Sequence, residues 1–151
     1  MNEAWRILNK EKGYSLVEML VVLSVFMLLI SISITVIPEY KAKRELESFL
    51  NQFSKDFHFA QMYAINHQAT VVFRVDFASG RYFVMKGIDE ELLSKKIPGN
   101  INYLKGSLDS RIYFTPVGTV SSFGAWLFES KRVRYTFTIL IGSGRHYYRE
   151  I

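Results

Sequence analysis

Three residues near the start of the chain have the types and spacing to act on a membrane or a partner chain. Gly13 follows a short polar segment carrying Arg6, Lys10 and Lys12, and Tyr14 follows it directly. Glu18 then stands as the single charge within the apolar run Leu16–Ile37. A carboxylate in an apolar span is costly unless a cation or hydrogen-bond donors neutralise it, so its presence marks a functional position by default. A secretory signal would place small residues after the apolar run, not a glycine before it.

A second candidate group lies at the other end of the chain. In a strand, Arg145, Tyr147 and Arg149 fall on one face, with His146 and Tyr148 on the other. Two basic side chains with an aromatic between them can contact phosphates and stack on a base, which makes these three candidate DNA contacts. The competing reading is an edge strand kept soluble by its charges. Gly142-Ser143-Gly144 does not have the spacing of a Gly-x-Ser-x-Gly nucleophile turn and reads as a hairpin turn. His58 and His67 fall on opposite sides of a helix and cannot share a metal there; with His146 they read as solvated or partly packed residues. The sequence contains no cysteine, which excludes disulfides and thiolate-held metals. No catalytic constellation and no cofactor site is found, so the chain is expected not to be an enzyme.

These residues need elements to position them. The 151 residues suffice for one small domain plus a tail. Aromatic residues make up 15% of the chain, enough for a packed core outside the apolar run. As a helix, Leu16–Ile37 would be roughly 33 Å long, enough to cross a bilayer core of about 30 Å. Pro38 marks a junction, where a helix running through is expected to bend or break. Beyond it Leu46, Phe49, Leu50, Phe53, Phe57, Ala60 and Ala64 recur at spacings of three and four. That pattern predicts an amphipathic helix with one apolar face, and Lys41, Lys43, Arg44, Glu45, Glu47, Lys55 and Asp56 fall mostly between those positions.

After residue 68 the pattern changes to strands. Residues 69–77 and 81–86 form a hairpin about Ala78-Ser79-Gly80, and 87–111 is less regular, with a turn at Pro98-Gly99-Asn100. Ile112-Tyr113-Phe114 is a short strand. Residues 133–141 and 145–151 close the chain as a second hairpin. Helix first and hairpins after it predict an α+β fold, the sheet wrapped on the apolar face of the helix. The net charge of +5 fits a surface that meets anionic polymers, and equally fits ordinary solubility.

The stretch Lys12-Gly13-Tyr14-Ser15-Leu16-Val17-Glu18, with its basic leader and long apolar run, resembles the processing signal of type IV prepilins and pseudopilins. The resemblance implies a membrane peptidase that cuts after Gly13, on the cytoplasmic side, and methylates the new amino terminus at Tyr14. It also implies that Glu18 directs assembly, its carboxylate neutralising the terminal amine of a neighbouring subunit. Tyr14 stands where the family often has Phe, and the family's proline within the apolar segment is absent, since Pro38 comes later. An ordinary signal anchor, and secretion with cleavage after Ser31-Ile32-Ser33, stay open as alternatives at this point. Three Lys/Arg precede the apolar run and three follow it closely, so charge alone does not orient it. The resemblance supplies a cytoplasmic amino terminus.

The later segments resemble minor pilins and pseudopilins of the GspH and FimT type, and the closing string Ile139-Leu140-Ile141-Gly142-Ser143-Gly144-Arg145 resembles the ComGD group of competence minor pilins. That resemblance implies a type IV pilin-like fold divided into a leader over 1–13, a hydrophobic assembly helix over 14–37, an amphipathic helix over 38–68 and a β-rich domain over 69–151. It implies a place in a competence pilus that takes up external DNA. A pseudopilin of a type II secretion-like system is the alternative. The implied partners are sibling pilins, the prepilin peptidase and methyltransferase, the pilus assembly membrane protein with its ATPase, the membrane before assembly, and DNA. The implied location is the cell membrane, then the cell surface.

Overall fold

The computed structural model describes residues 14–87, 89–104 and 106–151, without the side chains of 32–38. Residues 1–13, which the sequence reading takes as a leader and which include Gly13, lie outside the described residues. The chain divides into two compact units, Met1–Pro38 and Glu39–Ile151.

Helix α1 spans Leu16–Asn66. The sequence suggests a bend or break at Pro38, but the proline does not end the helix. Proline lacks the backbone donor and disfavours a continuing helix, yet the helical residues run on through position 38. Leu46, Phe49, Leu50, Phe53, Phe57, Ala60 and Ala64 are all buried, as their spacing predicts.

The β-strands are β1 (Val71–Asp76), β2 (Arg81–Lys86), β3 (Glu90–Lys96), β4 (Asn102–Leu104), β5 (Arg111–Phe114), β6 (Gly124–Ser130), β7 (Val133–Ile139) and β8 (His146–Glu150). They form two four-stranded sheets, not one. Sheet 1 has the order β3-β2-β1-β5 and sheet 2 the order β4-β6-β7-β8. The strand pairings among the described residues are all antiparallel. The expected α+β arrangement, a helix packed on antiparallel sheet, is therefore present, with the sheet divided in two.

Three strands go beyond the sequence expectation. β3 reads Glu-Glu-Leu-Leu-Ser-Lys-Lys, with no β-branched residue, and is held by its ladder to β2. β4 is only three residues long. β6 alternates cleanly, burying Trp126, Phe128 and Ser130. Conversely, Leu140 and Ile141 belong to the turn and not to β7.

The core explains why one helix organises both sheets. The Phe53 ring meets Phe73 and Tyr82 of sheet 1, and Trp126, Phe128 and Phe137 of sheet 2, with centroids 5.0–5.7 Å apart. Most of these contacts are edge-on, the geometry aromatic quadrupoles favour. Phe57 joins Phe73 to Phe114 and Phe137 in the same way.

Asp56, one of the charged residues that fall mostly between the apolar positions, is buried with them. It is only 5% exposed. Its carboxylate accepts from the Tyr82 hydroxyl at 2.6 Å, from Lys95 Nζ at 2.8 Å and from Gln52 Nε2 at 2.9 Å. The position follows from helical periodicity: Asp56 lies three residues after Phe53 and four before Ala60, both buried.

Candidate functional site

At the amino-terminal end, Tyr14 and Ser15 precede the helix and Leu16 begins it. The Ser15 carbonyl accepts from the Met19 backbone N–H at 3.1 Å, so Ser15 occupies the cap position. Glu18 is then the third residue of the helix, the place of the acid in a Ser-x-x-Glu capping pattern. A carboxylate there is favoured by the helix dipole. Glu18 is exposed, as is Tyr14 at 77%. The structure thus places both predicted residues at one helix start, four positions apart, and leaves their side chains open to a partner.

The following turns are unusual for a domain helix. Every described side chain from Leu16 to Ser31 is exposed, and nearly all are large and apolar. A helix that is apolar all round requires an apolar medium or apolar neighbours to cover it. The two serines are compatible with such surroundings. The Ser24 hydroxyl donates to the Val21 carbonyl at 2.7 Å, and Ser31 donates to Met27 at 2.8 Å. Such back-bonding within the helix satisfies a hydroxyl without water. Among the described residues no helix is long and apolar enough to cross a membrane. The described side chains of the apolar run end at Ser31, short of the Ile37 at which the run ends in sequence.

At the carboxy-terminal end, β8 is an edge strand held to α1 by its inward side chains. The Ser143 carbonyl, just before the strand, accepts from Gln61 Nε2 at 2.7 Å, and the same amide donates to the Gly118 carbonyl. Gly144 has φ +65°, and a β-carbon there would lie 2.8 Å from Gln61 Nε2, so this approach of loop to helix requires glycine. His146 Nε2 lies 2.7 Å from the Ser54 hydroxyl, and the ring stacks on Phe137 and meets Phe57 edge-on. Burial lowers the pKa of His146 below the usual imidazole value, and the Gly144 carbonyl opposes this in part. Glu150 accepts from Lys43 Nζ at 2.6 Å. β8 therefore runs antiparallel to α1.

The opposite face of β8 carries the predicted group. Arg145, Tyr147 and Arg149 are all exposed, as the alternation predicts. Among the described residues no ion pair involves either arginine. The two candidate groups belong to separate compact units. The Ser143 turn contributes its carbonyl to the fold. His58 and His67 are exposed, and His67 stacks on Tyr63. Among the described residues no cluster of three His, Cys, Asp or Glu could hold a metal.

Sequence reasoning missed the polar ties that lock the helix to the sheets. Besides Asp56, Glu47 accepts from the Tyr135 hydroxyl at 2.6 Å. Burial, then the carboxylate partner, raises the pKa of both Tyr82 and Tyr135 well above the usual phenol value.

Comparison with known proteins agrees with this geometry. The family signature described as "Prokaryotic N-terminal methylation motif" matches residues 8–34. No protein of curated function matches the sequence. Among solved structures, the chain is similar to the type IV minor pilin FimU of Pseudomonas aeruginosa strain PAO1. The TM-score is 0.60 at 13% identity, over 71% of this chain and 90% of that one. It is also similar to EpsH, the minor pseudopilin of the type 2 secretion system of Vibrio cholerae, with a TM-score of 0.52 at 11% identity over 67% of this chain and 91% of that one. At such identities the likeness is one of fold. The chain thus carries a prepilin-type methylation motif ahead of a domain with the type IV pilin fold.

Proposed function

We propose that the chain is a minor pilin, or pseudopilin, of a competence type IV pilus that brings external DNA to the cell. In this reading residues 1–13 are a leader removed between Gly13 and Tyr14, and Tyr14 becomes the methylated amino terminus. Residues 14–37 cross the membrane once with a cytoplasmic amino terminus, then pack against sibling pilins when the subunit moves into a surface fibre. Residues 38–68 and 69–151 form the exposed domain. The prepilin peptidase, the assembly membrane protein and its ATPase act on the chain in that order.

The observation that carries this reading is the all-round apolar, exposed helix that begins directly after Tyr14 and bears one carboxylate. Such a surface is unstable in water, and either a bilayer or a bundle of like helices would cover it. The amine freed at Tyr14 needs a counter-charge in either medium, and Glu18 of a neighbour supplies one. The axial position of a subunit would then be set by that pair.

The deciding measurement is the mass of the mature amino-terminal peptide from native membranes. The expected start is methylated Tyr14. A start at Ile34, or an intact Met1, overturns the proposal. A second reading, in which the domain itself holds DNA, is favoured by the exposed Arg145, Tyr147 and Arg149 on one strand face. It requires that Arg145→Ala with Arg149→Ala weaken a salt-sensitive DNA affinity. A third, a pseudopilin of a type II secretion-like system, keeps the processing and changes the cargo. It predicts normal transformation and failed secretion in a deletion strain.

A further inference from the structure

The outer face of sheet 1 contains an arrangement that packing does not explain. Arg74 of β1 and Arg111 of β5 are direct register partners on antiparallel strands. Their neighbours Phe73 and Ile112 point into the core and are fully buried, so both arginines stand on the solvent side. Like charges directly opposite one another destabilise a sheet. Among the described residues neither arginine has an ion-pair partner. The nearest acid on the same face of β1, Asp76, is occupied at the turn, where it accepts from the backbone N–H groups of Ala78 and Ser79.

A hollow of about 170 Å³ lies at this pair, lined by Val72, Arg74, Met85, Gly87, Arg111 and Tyr113. Among the described residues no carboxylate lines it. Its apolar floor lowers the local dielectric and so strengthens any charge pairing formed there. Tyr113, 41% exposed, stands next along β5 from Arg111 on the same face, opposite Val72. Arg74 lies over the Phe83 ring at 6.0 Å, on the β2 side of its strand, so gripping an anion with Arg111 requires its guanidinium to turn toward β5.

We propose that this hollow binds a backbone phosphate of single-stranded DNA, gripped between Arg74 and Arg111, with an adjoining base stacked on Tyr113. Both arginines line this one small hollow; a guanidinium fork matches a phosphate, and a bound anion relieves the repulsion between the two charges. The aromatic selects the occupant. A duplex keeps its bases stacked inside, and a wall polymer of glycerol phosphate has none, so in both cases Tyr113 would stay idle. The site is on sheet 1, away from β8, and does not rest on the pilin reading.

The test uses the full chain in detergent and a fluorescent oligothymidine, with affinity followed by anisotropy across a salt series. Arg74→Ala combined with Arg111→Ala is expected to weaken binding at least tenfold. It should also flatten the log–log salt slope by about 0.7–1.4, one to two phosphate contacts. Tyr113→Ala is expected to weaken oligothymidine binding at least fivefold and to leave any binding of poly(glycerol phosphate) unchanged. Arg145→Ala with Arg149→Ala, run in parallel, should leave the sheet-1 contribution intact. Because both arginines are on the surface, the double variant should unfold at the same urea midpoint as the parent or a higher one. Should it unfold earlier, Arg111→Lys is measured in its place, and weakened binding there supports the site. Unchanged affinity in the sheet-1 variants overturns the proposal. So does absence of oligothymidine binding, equal affinity for duplex or for poly(glycerol phosphate), or loss of binding in the β8 variant alone.

Discussion

Phe26 and Phe53 are the same residue on the same helix, and their surroundings differ in kind. Phe26 is 59% exposed among other exposed apolar side chains, whereas Phe53 is fully buried among aromatic rings from both sheets. The first half of α1 is apolar on every side, and its described side chains from Leu16 to Ser31 are all exposed. The second half confines its apolar residues to one stripe and covers that stripe with two sheets. One helix therefore serves two separate tasks. The half that is left uncovered is the half that must meet another molecule.

The sharpest way to break this contrast is to truncate both rings. Phe53→Ala should destabilise the domain by about 3–5 kcal/mol, the usual cost of removing a core aromatic. Phe26→Ala should leave the urea midpoint unchanged. Fluorescence of Trp126, fully buried beside Phe53, reports both. A comparable loss in Phe26→Ala would mean that both rings contribute to the stability of the folded domain, and the contrast would fail.

The two helix carboxylates sharpen the contrast in the same way. Asp56→Ala leaves Lys95 and Tyr82 without their shared acceptor. It should cost about 3 kcal/mol, the low end for breaking a buried pair, because Lys95 is itself more than a third exposed. Glu18→Ala should leave the domain midpoint untouched and the leader still cleaved, while fibre recovery from sheared cells falls. Loss of cleavage in Glu18→Ala would assign the carboxylate to the peptidase, whereas Gly13→Ala is the variant expected to block it. Tyr135→Phe, which only removes the donor to Glu47, should cost about 1 kcal/mol.

What the sequence makes legible follows the same division. The apolar stripe from Leu46 to Ala64 is plain because helical spacing and burial coincide. The motif around Gly13 and Glu18 is plain because it is local and contiguous. β7 and β8 are legible from alternation, and so is the exposed face bearing Arg145, Tyr147 and Arg149. β3 is not, since Glu90–Lys96 has the composition of a solvated segment and becomes a strand only by pairing with β2. The division into two sheets is invisible for a related reason: β5 returns to β1, and β4 joins β6, across long stretches of chain. Residue type alone does not reveal that Asp56 is buried, whereas its spacing from Phe53 and Ala60 puts it on the buried face. The Arg74–Arg111 pair needs the β1–β5 register, which no local pattern carries.

The smallest expected effect concerns pH and separates the two faces of β8. His146 is half-buried against Phe137 and Phe57, and burial holds its folded-state pKa below the ordinary value of about 6.5. Above that value the ring is neutral in both states and titration contributes nothing. As pH falls below it, the unfolded chain binds a proton that the folded chain still refuses. Stability is therefore lost between about pH 6.5 and the lower folded pKa, and the loss levels off below it. His58 is exposed nearby, and its charge opposes protonation of His146 further. The outer face of the strand carries Arg145 and Arg149. His146→Phe should abolish the decline in urea midpoint between pH 7 and 5 that His146 contributes, while Arg149→Ala should leave it in place. A decline that survives His146→Phe would trace the pH dependence to another group and leave β8 held by packing alone.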